Sequence, residues 1–296
     1  GCTVAQNGSF GGDYDKMFGT AVGLVNIDNS KVYINGCKVE DTTVKGATSA
    51  NIFGLNGGDN TTIYVDGYTY GSDGTIKDEV TGNLIVNSPE SLEAALETAG
   101  AAGAGDTTIV FDENATLNMN NAEWTPIYVN GYNGADIVTI EGNGAVIKGL
   151  TAPLFQGGFA GGSGIVIRDL TITESNIVST STQGSGAFIE CVDSMETITL
   201  DNCHFTNSTI SGSRTGGLIG WTSGYSNEND GPVKTYVTIK NCSVIDVDIN
   251  ATGSAAAING HAGASDWTYT TIENCTVKDC NINSTDSGSW RTGVVV

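Results

Sequence analysis

Basic residues are scarce. The 296-residue chain holds 12 Lys and Arg against 33 Asp and Glu, a formal net charge of −21. A nucleic-acid binder needs a basic footprint, so nucleic acid is excluded as a partner. The same sign argument excludes an anionic membrane surface. No apolar run reaches the roughly 18 residues that a spanning helix needs, so no membrane insertion is expected. Proline is nearly absent, 4 residues against 41 Gly, and without a Gly at every third position this is no collagen. With 15% charged and 39% hydrophobic residues, the chain is also too apolar for an acidic disordered tail. The seven Cys form no Cys-x-x-Cys pair and no zinc-type spacing with the two His, His204 and His261.

What the chain has instead is repetition. One phrase recurs as Val-Tyr-Ile-Asn-Gly-Cys-Lys-Val (32–39), Ile-Thr-Leu-Asp-Asn-Cys-His-Phe (198–205), Val-Thr-Ile-Lys-Asn-Cys-Ser-Val (237–244) and Thr-Thr-Ile-Glu-Asn-Cys-Thr-Val (270–277). A degenerate copy at 165–172 carries Leu170 in the Cys place. The steps Leu170 to Cys203, Cys203 to Cys242 and Cys242 to Cys275 are 33, 39 and 33 residues, the constant-core, variable-loop spacing of a solenoid. A second phrase alternates with the first: Gly-Ala-Phe-Ile-Glu (186–190), Gly-Gly-Leu-Ile-Gly (216–220) and Ala-Ala-Ile-Asn-Gly (256–260). Within the first phrase, Val237 and Ile239 alternate with period two, but the step to Cys242 is three. An αL residue at Asn241, turning the strand through a corner, accounts for the shift. Stacking like on like then predicts a core ladder of Cys37, Leu170, Cys203, Cys242 and Cys275 at about 4.7–4.9 Å intervals.

These phrases resemble the right-handed parallel β-helices of the pectate-lyase-like superfamily, and are most similar to the Asn-Cys-Thr-Val solenoids of bacterial surface proteins and adhesins. The resemblance implies an all-β fold, a right-handed parallel β-helix, in a secreted or cell-surface protein. It does not imply one function, because such solenoids carry lyases, hydrolases and adhesins alike. A helix is expected near 88–99, with Ser88 as N-cap, Pro89 in the first turn, Gly100 as terminator and an apolar face of Leu92, Ala95, Leu96 and Ala99. The resemblance makes it the cap of a first coil.

Coil-like sequence also precedes this head. The division expected is therefore tail coils over 1–70, a linker over 71–82, and the capping helix with the main solenoid over 83–296. Gly1-Cys2-Thr3-Val4 matches the second half of the Asn-Cys-Thr-Val phrase, and Arg291-Thr292-Gly293 with Val294, Val295 and Val296 opens the second phrase. Three readings stay open: one period of a longer tandem protein, subunits joined head to tail, or a segment folded back on its own chain. The head-to-tail reading makes Cys2, Val4, Val294, Val295 and Val296 the joining residues and other copies of the chain the partner.

For chemistry, His204 and His261 suggest no Ser/His/Asp set and read as surface residues. No catalytic residue and no cofactor are expected. A polysaccharide lyase or glycoside hydrolase remains an alternative, with Asp169, Asp201 and Asp246 on one outer face. Asp13, Asp15, Glu228 and Asp230 supply oxygen ligands for Ca²⁺ but match no calcium-binding repeat. Trp221, Tyr225, Trp267 and Trp290 read two ways, as a glycan platform of an adhesin or as loop-packing residues.

Overall fold

The computed structural model describes residues 3–5, 31–34, 43–45, 62–65, 67–71, 74–101, 103–129, 137–157, 163–193, 195–223, 225–227, 231–262, 267–285 and 292–293. Among them are 29 strands and one helix, so the described residues are mostly β, compatible with an all-β fold. It divides into two compact units, Gly1–Ala95 and Leu96–Val296.

In the first unit, Lys31–Ile34 pairs in parallel with Thr62–Val65, and the rings of Tyr33 and Tyr64 stack at 5.0 Å. Thr3–Ala5 pairs in parallel with Thr43–Lys45, Val4 opposite Val44. From Thr62–Val65 the chain turns antiparallel through Tyr68–Tyr70, Ile76–Lys77 and Leu84–Val86. Residues 71–82, read from sequence as a connector, thus contain a paired strand with Ile76 buried.

The helix Pro89–Gly100 begins as its sequence dictates. The Ser88 hydroxyl accepts from the Ser91 amide at 3.2 Å, and Ser91 Oγ accepts from the Ser88 amide at 3.0 Å, a reciprocal cap that satisfies two otherwise orphaned donors. Leu92, Ala95, Leu96 and Ala99 are all buried.

In the second unit successive tiers of strands pair in parallel, beginning with Thr107–Phe111 and Thr116–Asn118, which both pair with Ile137–Lys148; the pairing of that strand with Gly164–Thr173 shifts register between Glu141 and Ala145. The long strands Ile137–Lys148 and Gly164–Thr173 are followed by Thr197–Asp201 with His204–Gly212, by Thr235–Lys240 with Ser243–Ala251, and by Thr268–Glu273 with Thr276–Lys278 and Asn281–Ser284. The register steps along these tiers are 33, 39 and 33 residues, from Gly164 to Thr197, Thr197 to Tyr236 and Thr235 to Thr268. A second set of strands, Ile127–Val129, Phe155–Gly157, Ile189–Asp193, Ile219–Ser223 and Asn259–Ala262, forms a parallel sheet of its own. Thr215–Gly216, Ala255–Ala256 and Thr292–Gly293 form a third.

Corners between strands are made by residues that tolerate positive φ. Asp169, Asn202, Asn241 and Asn274 hold φ of 51–56°, and five residues on, Glu174, Asn207, Asp246 and Asp279 hold 47–55°. Each corner flips the parity of the strand, which lets Val237, Ile239, Cys242, Val244 and Ile249 all face the buried side. Asp169, Asp201 and Asp246 consequently fall in three different stacks, the first corner, the last strand position before it, and the second corner. The reason is the corner geometry, which separates residues that a simple two-residue period would align. The Asp201 carboxylate nevertheless reaches the first-corner row, accepting from the Asn241 side chain at 2.9 Å. Gly216 answers a separate demand: a Cβ there would lie 1.9 Å from the Ile219 carbonyl oxygen and 2.4 Å from the Gly260 amide, so the tiers close only around hydrogen.

Candidate functional site

Two places in the second unit combine exposure with organised chemistry. The first is the last described tier. Leu170, Cys203, Cys242 and Cys275 occupy one register row, since the flanking pairs Thr171–His204, His204–Ser243 and Ser243–Thr276 fix the alignment. Leu170, Cys203 and Cys242 are buried, whereas Cys275 is half-exposed. The same break runs along the whole tier. Ile239, Val244 and Ile249 are fully buried, and their register successors Ile272, Val277 and Ile282 are half-exposed. Among the described residues, the strands Thr268–Glu273, Thr276–Lys278 and Asn281–Ser284 pair on one side only. Among the described residues the tier therefore presents an apolar stripe beside a strand edge paired on one side. Full burial of an Ile or Val is worth about 1.5–3 kcal/mol, part of which is unrealised here.

The ladder thiols do not shift together: the contact with the Cys203 sulfur lowers the pKa of Cys242, while Cys203 and Cys275 are raised. The Cys242 sulfur and burial together push Cys203 well above the ordinary thiol range, and burial raises Cys275 as well.

The second place is the outward row one residue past the ladder. Thr171, His204, Ser243 and Thr276 stand side by side on successive strands. Ser243 Oγ lies 2.8 Å from His204 Nδ1, and His204 Nε2 lies 3.1 Å from Asn202 Oδ1. Asn202 Nδ2 in turn donates to Asp169 Oδ1 at 2.7 Å. His204 and Ser243 are half-buried and Asn202 is exposed. Burial lowers the His204 pKa from the ordinary 6.5, partly opposed by the Asp169 charge. Sequence reading missed this chain because its members are 33 and 39 residues apart, although His204 and Ser243 each follow a ladder Cys by one residue.

The remaining sequence candidates are dispersed. Trp221 is half-buried beneath Arg214, whose guanidinium carbon sits 5.4 Å from the ring centroid. Trp267 is half-buried and Tyr225 lies in the strand Tyr225–Asn227. Trp290, Cys2, Cys37, Asp13, Asp15, Glu228, Asp230 and 294–296 fall outside the described residues. The exposed aromatic pair that the sequence did not single out is Tyr236 with Tyr269, stacked at 5.2 Å and carrying Lys234 5.9 Å from the Tyr269 ring. Among the described residues no group of three or more His, Cys, Asp or Glu is arranged to hold a metal ion. Comparison with protein-family models, with curated proteins and with solved structures gives no match.

Proposed function

We propose that this chain is a right-handed parallel β-helix of the pectate-lyase-like kind, serving as an extracellular structural protein that lengthens by adding coils end to end. The observation that carries the reading is the half-exposed stripe Ile272, Val277 and Ile282 beside an edge that, among the described residues, is paired on one side only, continuing rows that are fully buried one tier earlier. Such an edge is completed most economically by another coil of the same repeat, through strand addition. The occupant is a second copy of this chain, contributing its Lys31–Ile34 phrase, which repeats the Ile-x-Asn/Gly-Cys pattern of the tier it would cover. A heterologous contact of this kind repeats without closure and produces a filament or stalk. Bundling of such filaments is opposed by the net charge of −21.

Electron microscopy and sedimentation of the purified chain test this. Growing linear particles are expected for the wild type, and single short particles for Ile282→Lys, whose site is half-exposed and accommodates the charge without unfolding. A monodisperse wild type across the micromolar range would overturn the proposal. A second reading, glycan binding by an adhesin segment, is favoured by the stacked and exposed Tyr236 and Tyr269 with Lys234 beside them. It requires that Tyr236→Ala weaken glycan retention without altering particle length.

A further inference from the structure

We propose that Ser243 is an activated nucleophile and that the row Ser243–His204–Asn202–Asp169 is an ester-hydrolysing site, independent of the end-to-end assembly. The hydrogen bonds fix the protonation pattern. Asp169 is a carboxylate and only accepts, so the Asn202 amide nitrogen faces it at 2.7 Å. That leaves Asn202 Oδ1 as the acceptor for His204 Nε2–H at 3.1 Å. With its proton on Nε2, His204 presents the Nδ1 lone pair to the Ser243 hydroxyl at 2.8 Å. A base aimed at a serine, itself oriented by a third group, is the arrangement that nucleophilic catalysis requires.

The strands hold this geometry rigidly. His204 and Ser243 lie in register on neighbouring parallel strands, and Asn202 is locked at a corner with φ 53°. At the register of His204 the flanking strands offer Thr171 on one side and Ser243 on the other, and the nearest charge that bears on the ring is Asp169. Burial keeps the imidazole neutral near pH 7, the form able to take a proton.

In the reaction, Ser243 Oγ attacks the ester carbonyl carbon while its proton passes to His204 Nδ1. The alkoxide then departs, taking that proton as the alcohol and leaving an acyl-serine. Water adds to the acyl carbon, giving its proton to Nδ1, and the carboxylic acid and free serine are regenerated. The substrate class follows from what surrounds Ser243. Its own amide is committed to the Cys203 carbonyl at 3.0 Å and the Thr276 amide to the Cys242 carbonyl at 2.9 Å, so neither serves an oxyanion. The Thr276 hydroxyl, beside Ser243 in register and on an exposed strand position, is left as a donor. One hydroxyl donor suits esters, whose alcohol leaves more readily than an amine, and not amides.

The test is covalent labelling of the full chain by an alkyl fluorophosphonate, located by peptide mass mapping, with p-nitrophenyl acetate turnover in parallel. A phosphonyl adduct on Ser243 is expected, formed about 100-fold or more slowly in His204→Gln. In the wild type, which needs no variant to fold, the labelling rate rises with pH to a plateau whose half-point lies below the ordinary histidine value. Asp169→Asn, which keeps a residue suited to the corner, moves that half-point downward by removing the negative charge that raises the His204 pKa. Absence of an adduct on Ser243, labelling undiminished in folded His204→Gln, or a rate without that pH dependence would overturn the proposal. Assembly is read separately by particle length, so neither result bears on the other.

Discussion

Asn241 holds φ at 56° and its side-chain amide donates to Asp201 Oδ1 at 2.9 Å. The residue thus works twice, as a corner and as a rivet between tiers. A β-branched side chain is strained in the αL region by about 1–2 kcal/mol and cannot replace the bond, worth about 1 kcal/mol. Asn241→Val should therefore destabilise the protein by about 2–3 kcal/mol, and Asn241→Gly by about 1 kcal/mol, in denaturant unfolding. A second residue of this scale is Glu190, which is buried and accepts from the Ser179 hydroxyl. Burial raises its pKa above the ordinary 4.5, with the Ser179 bond partly opposing. Between the ordinary and the raised value the native state retains a proton that the unfolded chain has released. Stability contributed by the neutral acid is complete below that window and is lost as pH rises through it. Glu190→Gln should abolish this loss. Thermal melts should show the variant more stable than wild type at neutrality and no more stable below the ordinary glutamate range.

Elements are aligned by charge as well as by apolar rows. Glu141, Arg168, Asp201, Lys240 and Glu273 occupy one register position on five successive strands, alternating in sign. Arg168 bonds Glu141, and Lys240 Nζ lies 3.0 Å from Asp201 Oδ2. Each such exposed pair is worth at most about 1 kcal/mol, so the row selects register more than it stabilises. Much of this was legible in the sequence: the Cys-anchored phrase aligns Leu170, Cys203, Cys242 and Cys275, and the three-residue step demands a corner at Asn241. The row of alternating charge and the His204–Ser243 contact were equally present in that alignment. They pass unnoticed because a strand read along the chain shows neighbours at i±2, while lateral neighbours appear only once the phrases are written one above another. The Tyr236–Tyr269 stack was hidden for a related reason, lying just outside the repeated phrase. The corner at Asp246 separates it from Asp169 and Asp201, a distinction that a plain two-residue alternation does not make.

At the scale of the whole molecule, stability in a stack of tiers is a sum of neighbour contacts, and a tier with one neighbour opens first. In the unassembled chain, amide exchange should accordingly be slowest in Thr197–Asp201 and His204–Gly212, which pair on both sides, and fastest in Thr276–Lys278 and Asn281–Ser284. Uniform protection across these tiers would contradict nearest-neighbour stability. The same independence bears on how the molecule tolerates change. The 39-residue step accommodates the antiparallel hairpin Tyr225–Asn227 and Gly231–Val233 without disturbing the register on either side, where the steps are 33. Length is thus absorbed at this hairpin while the flanking ladders stay aligned. That hairpin is a natural graft point, where a foreign epitope or affinity peptide can be carried at the cost of loop closure alone, which grows only with the logarithm of the added length.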